Sequence, residues 1–205
     1  AFAPAKKVIV NVDFFRTLDD KNFRSGYAEM IKHALISSHK DLGEVLGFDL
    51  YEIDYDKLNT LLVRSIEIKE TIVAADPDEK GIRKSLNLGH TIAHAMESWS
   101  YKSGNPILHG YAVAWGLICE LYLSHIKLGF PKDELLKLKY FINENYGKYD
   151  CGCKDYSEIL ELMKHDKKNE SKEINFTLLS DIGDVKINQT ATKEEIEECL
   201  DFLAY

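Results

Sequence analysis

From Gly26 onward, apolar residues recur three and four positions apart through one segment after another, and this helical period most limits what the chain can become. The spacing predicts helices over about Gly26–His39 and Leu58–Val73, two more over about Asp133–Asn145 and Tyr156–His165, and a long one over about Tyr111–Leu128. Gly129 closes the long helix with Pro131 just beyond it, the usual order of stop signals. Asp76-Pro77-Asp78-Glu79 supplies a start: an Asp to cap, a Pro for the first helical position and an acid where a capping box wants one. A single helix is therefore expected from there to about Trp99, with Gly81 and Gly89 as weak points. Only Glu173–Ile187 shifts to a shorter period, around Asp181-Ile182-Gly183-Asp184, and reads as a hairpin. Thr192, with Glu195 three residues on, then caps a last helix.

The expected fold is mainly α: a multi-helix domain with a short β-hairpin near the C-terminus. Lys7–Val12 reads as a stray N-terminal strand with no partner in view, and an unpaired strand is not stable. Residues 1–18 are accordingly expected to be the remnant of a preceding sheet domain with its linker, and residues 19–205 the helical domain. The 205 residues, 45% hydrophobic and 29% charged, are enough for one full core.

A formal net charge of -8 argues against non-specific nucleic-acid binding, where a basic face would be expected, so no nucleic-acid partner is expected. No apolar run approaches the roughly 18 residues of a membrane span, and the first ten residues lack the apolar centre of a secretion signal. No membrane partner and a cytoplasmic location are expected. Cys119 and Cys199 fall in helical patterns, while Cys151 and Cys153 form a lone C-x-C. All four read as reduced structural thiols.

Chemistry concentrates in three places: Glu29 with Lys32, His90 with His94, and His109. A carboxylate, a helical His-x-x-x-His and a further histidine are donors that suit zinc. On one continuous helix Arg83, Asn87, His90 and His94 would fall at about 0°, 40°, -20° and 20° and share a face. Thr91 stands where a metalloprotease carries its glutamate, which weakens a peptidase reading. Plainer readings stand beside these: an exposed Glu29–Lys32 ion pair, a solvated histidine face, a loop histidine at 109, and surface positions for Arg64 and Lys69. Lys167 and Lys168 either reach a phosphate or solvate a helix end.

Taken together, Ser25-Gly26-Tyr27-Ala28-Glu29-Met30-Ile31-Lys32, Lys69 with Asp76–Arg83, Leu86-Asn87-Leu88-Gly89-His90-Thr91 with His94-Ala95, Leu108-His109-Gly110 with Ala112-Val113, and Asp166-Lys167-Lys168 resemble the 3-dehydroquinate synthase family. The resemblance covers nearly the whole chain. It implies Zn2+ or Co2+ held by Glu29, His90 and His109, which moves His94 from metal ligand to the substrate side. It further implies that Lys32, Lys69, Arg83, Asn87 and His94 contact the substrate's hydroxyls and carboxylate, and that Lys167 and Lys168 hold its phosphate.

The implied reaction turns 3-deoxy-D-arabino-heptulosonate 7-phosphate into 3-dehydroquinate and phosphate, in aromatic amino acid biosynthesis. NAD+ would be bound mainly by a nucleotide-binding domain ahead of Ala1, so the chain alone is expected to have little turnover. A homodimer is the family's habit. Related cyclases that make valiolones or inosose, and a non-catalytic helical module, are the rival readings. One departure stands out: Tyr111 follows His109-Gly110 where the family usually has Glu, which removes an acid expected to support the metal ligands.

Overall fold

A computed structural model describes residues 6–150, 152–164 and 174–204. Among these the helices are α1 (Asp20–Leu35), α2 (His39–Leu46), α3 (Tyr55–Ala75), α4 (His90–Lys102), α5 (His109–Leu128), α6 (Lys132–Tyr146), α7 (Tyr156–Lys164) and α8 (Lys193–Ala204). One antiparallel hairpin, β1 (Asn175–Asp181) with β2 (Asp184–Thr190), precedes α8. The mainly helical reading, the late hairpin and the Thr192 cap all hold. Thr192 and Glu195 exchange the two reciprocal hydrogen bonds of a capping box.

The axis of the domain is α5. Every residue from Ala112 to Leu121 is buried, and the helix packs against α1, α4, α6, α8 and β1. A helix that is apolar on all sides has to be surrounded, and small residues let the surrounding backbones come close. A Cβ on Gly110 would lie 1.8 Å from the carbonyl oxygen of Ser25 on α1, and one on Gly116 would lie 2.1 Å from that of Gly89. Against this axis β1 lays its buried run Phe176–Leu179. Cys119 and Cys199 are buried free thiols and Cys153 an exposed one, while Cys151 lies outside the described residues. Among the described residues, no helix is long and apolar enough to cross a membrane.

Two expectations need correction. Lys7–Val12 is not a strand: residues 7–11 have no regular structure and Val12–Thr17 is a 3-10 helix. Its apolar run has no neighbouring edge to pair with among the described residues, and a ladder needs two strands. The expected helix from Asp76 to Trp99 is also broken. Asp76 closes a loop instead of starting a helix, its carboxylate accepting the amide N–H groups of Lys80, Gly81 and Arg83. A 3-10 turn, Ile82–Asn87, follows, and α4 begins only after Gly89, which takes a left-handed φ of 80°.

The first helix likewise ends at Leu35, and Ser38 caps a separate α2. At that junction Asp41 accepts two hydrogen bonds from Arg64 of α3, at 2.9 and 3.1 Å, and one each from the Ser37 and Ser38 hydroxyls. The Arg64 guanidinium, helped by the two serines and opposed by burial, holds the Asp41 carboxyl well below the usual carboxylate range. A depressed carboxyl stabilises the fold above its unfolded pKa and loses that contribution as the pH falls through the folded one. Asp41→Asn should therefore cost about 1–2 kcal/mol at pH 7, a modest figure because Arg64 is half exposed. The gap from the parent should narrow in urea melts run below about pH 4.

Candidate metal centre

Three helices deliver the site. Glu29 projects from the middle of α1, His90 is the first residue of α4, and His109 is the first residue of α5. Glu29 Oε1 lies 3.3 Å from His90 Nε2 and 3.6 Å from His109 Nε2, and one donor atom from each of the three residues lies within 4.8 Å of the others. Two ligand atoms bound at zinc distances in a tetrahedral arrangement are roughly 3.3 Å apart, so the two distances from Glu29 suit a shared cation.

The imidazoles are oriented from behind. His90 Nδ1 meets the Leu88 carbonyl at 3.1 Å, and His109 Nδ1 meets a Glu97 carboxylate oxygen at 3.2 Å. Both partners are acceptors, so a neutral ring that gave its Nε2 lone pair to a cation would carry its hydrogen on Nδ1. Glu97 thus supplies an acid of the kind that Tyr111 does not. Tyr111 instead packs edge-on against Trp115 and Tyr146.

Charge is arranged to keep the carboxylate ionised. Burial alone would raise the Glu29 carboxyl, but the His109 and His90 rings and the Lys32 ammonium outweigh it and hold it far below its ordinary value. Lys32 is itself buried, with Nζ 2.6 Å from Glu29 Oε2. Burial pushes His90 down, against the pull of Glu29, while His109, at the exposed mouth, is raised first by Glu29 and then by Glu97. Two neutral imidazoles and one carboxylate, open to solvent on the His109 side, could hold a divalent cation with a position left for another ligand.

Other sequence-predicted residues surround this group. The His94 ring lies 5.6 Å from that of His90, perpendicular to it, and 6.2 Å from that of His109. It flanks the trio without joining it. Because the helix breaks at Gly89, Arg83 and Asn87 do not share a helical face with the two histidines. Arg83 Nη1 donates to the Pro77 carbonyl at 2.5 Å and Asn87 Nδ2 to Glu79 Oε1 at 3.0 Å. Lys69 is exposed on α3, close enough for its charge to oppose protonation of His33. Lys167 and Lys168 lie outside the described residues.

Three residues near the site escaped sequence reasoning. Glu97 follows His94 by three positions, one turn of α4, a spacing that signals a shared face. His33 follows Glu29 by one turn of α1, its Nδ1 2.7 Å from Ser65 Oγ and its Nε2 4.0 Å from Glu29; burial, with the Lys32 charge, pushes it down to about 3. Glu120, inside the apolar α5, gave no local signal beyond being an acid among hydrophobes.

Comparison with known proteins places the chain in a family. Residues 26–169 match the 3-dehydroquinate synthase C-terminal family. A 3-dehydroquinate synthase of Parabacteroides distasonis is 54% identical over 202 residues, 98% of this chain and 57% of that protein. One of Listeria innocua is 40% identical over 187 residues, 89% of this chain and 50% of that protein. The chain thus spans about half the length of the curated relatives it matches. Among solved structures, a 2-epi-5-epi-valiolone synthase from Streptomyces hygroscopicus with NAD+ and Zn2+ bound superposes with a TM-score of 0.82 at 20% identity, over 100% of this chain and 57% of that one. A 2-deoxy-scyllo-inosose synthase complexed with carbaglucose-6-phosphate, NAD+ and Co2+ gives 0.75 at 23% identity, over 93% and 54%. At these identities the likeness is one of fold.

Proposed function

This chain belongs to the 3-dehydroquinate synthase family, and on that premise we propose that it is the metal- and substrate-binding part of an enzyme converting 3-deoxy-D-arabino-heptulosonate 7-phosphate into 3-dehydroquinate and phosphate. The observation that carries the reading is the convergence of Glu29, His90 and His109 from three helices, with donor atoms within 4.8 Å of one another. Those three would hold Zn2+ or Co2+. When bound, such a cation supplies Lewis acidity that eases loss of a hydroxyl proton and polarises a carbonyl, and NAD+ supplies the hydride acceptor.

The chain's own residues bind and orient. Lys32, buried against Glu29, offers an ammonium that can donate to a substrate hydroxyl beside the metal position. His94, flanking the trio, is assigned to holding or moving a proton at its ring nitrogen. Arg83 and Asn87 are assigned to the substrate's carboxylate and hydroxyls, for which they would exchange Pro77 and Glu79 as partners. Lys69 joins them from α3, and Lys167 and Lys168 are assigned to the phosphate. Holding the opened intermediate in a reactive shape supplies much of the advantage for the final ring closure.

In this reading residues 1–18 are the junction with a nucleotide-binding domain that carries most of the NAD+ site, and the protein works as a cytoplasmic homodimer. The relatives at 54% and 40% identity favour the heptulosonate phosphate over the substrates of other cyclases. The full-length protein should turn over 3-deoxy-D-arabino-heptulosonate 7-phosphate with release of inorganic phosphate, and leave sedoheptulose 7-phosphate and glucose 6-phosphate untouched. Preference for either of the latter would overturn the assignment.

A further inference from the structure

Helix α4 starts without a cap of its own. Gly89 has no side chain to offer, and a Cβ there would lie 2.9 Å from Leu117, so a serine or aspartate cannot take the position as it usually would. The free amides are met from another helix. Glu120 of α5, fully buried, accepts the Gly89 N–H on Oε2 at 2.7 Å and those of Thr91 and Ile92 on Oε1 at 3.0 and 3.5 Å.

His90 is the residue between these anchors, so one carboxylate grips the backbone on both sides of it. The grip is braced: the Ser124 hydroxyl donates to the Glu120 carbonyl at 2.7 Å and accepts the Leu179 N–H of β1 at 3.0 Å. Gly116, one turn earlier on α5, makes room by letting the Gly89 carbonyl approach. A carboxyl in an apolar helix is costly to bury. Burial pushes this one up to about 8, against the pull of the three amides.

We propose that Glu120 is a positioning residue for the metal centre, holding the start of α4 so that His90 Nε2 faces Glu29 and His109. The proposal rests on the metal reading above for its consequence, and on the hydrogen bonds of α4 for its geometry. Glu120→Gln keeps the shape but turns an amide N–H toward an N–H donor. In that variant zinc affinity of the metal-free protein, measured by competition with a chromophoric chelator, should fall about ten- to a hundredfold. The His90 ring signals, followed by 15N NMR without metal, should shift and broaden as the ring loses its fixed orientation. Glu120→Asp, which withdraws the carboxyl oxygens from the amides by one methylene, should shift both readouts in the same direction.

Arg64→Ala, which loosens the α2–α3 ion pair instead, should lower stability and leave both readouts unchanged. The proposal is overturned if Glu120→Gln keeps zinc affinity within about twofold and leaves the His90 ring signals unchanged, or if Arg64→Ala moves His90 equally. If the parent binds no zinc, the metal reading falls, and the His90 spectrum still decides the positioning role.

Discussion

Replacing Glu29 by Gln, or His90 or His109 by Ala, lowers zinc affinity by more than about a hundredfold, beyond what loss of a ligand's hydrogen-bond partner produces, and abolishes turnover of the full-length enzyme. Each of the three contributes a donor atom to a cluster whose members already stand within 4.8 Å, and removing one leaves two ligands for a cation that wants at least three from the protein. His94→Ala separates the assignments. Its ring lies beside the trio, so zinc stays bound while kcat falls. Glu97→Gln belongs between these extremes, because it loosens the His109 ring without removing a donor. Metal analysis after dialysis against a chelator, together with steady-state rates, checks all five. A loss of zinc in His94→Ala as deep as that in His109→Ala would return His94 to the ligand set and break the scheme.

The second large effect is on the fold. Gly110→Ala would place a methyl 1.8 Å from the Ser25 carbonyl oxygen and 2.4 Å from its carbon, both backbone atoms that no rotamer change can move. The start of α5 has to lift away from α1, breaking the bond from Gly110 N–H to Ser25 Oγ and separating His109 from Glu29. A stability loss of about 3 kcal/mol or more is expected, at the upper end for overpacking. Gly26→Ala, next to the same serine, is the contrast. Nothing lies within 4 Å of a Cβ there, and in mid-helix the change should stabilise by about 0.5–1 kcal/mol. Urea unfolding of the two variants measures the difference, and similar values for both would refute the close-approach argument.

Much of the secondary structure was legible because its signals are local. The helical period, Gly129 at a left-handed φ of 76°, and the Thr192–Glu195 box act within a turn or two of chain. The misreadings share one cause. Asp76-Pro77-Asp78-Glu79 has the composition of a helix start, yet the Asp76 carboxylate satisfies amides four to seven residues on and so stabilises a loop. The break at Gly89 was visible only as a weak point, since what enforces it is Leu117 and Glu120 of a different helix. Lys7–Val12 has a strand's composition without a strand's partner.

The site divides in the same way. Residue types and spacing alone announced that a carboxylate and histidines would do metal chemistry, because imidazole and carboxylate are zinc donors wherever they meet. Which histidine joins His90 was a matter for the tertiary structure. His94 is one turn along α4 from His90 and is not in the cluster, whereas packing of α1, α4 and α5 through Gly110 and Gly116 brings Glu29, His90 and His109 to a common point. Helices form from interactions along the chain, but a three-point site requires helices distant in sequence to approach at fixed distances, and only the packed core sets those.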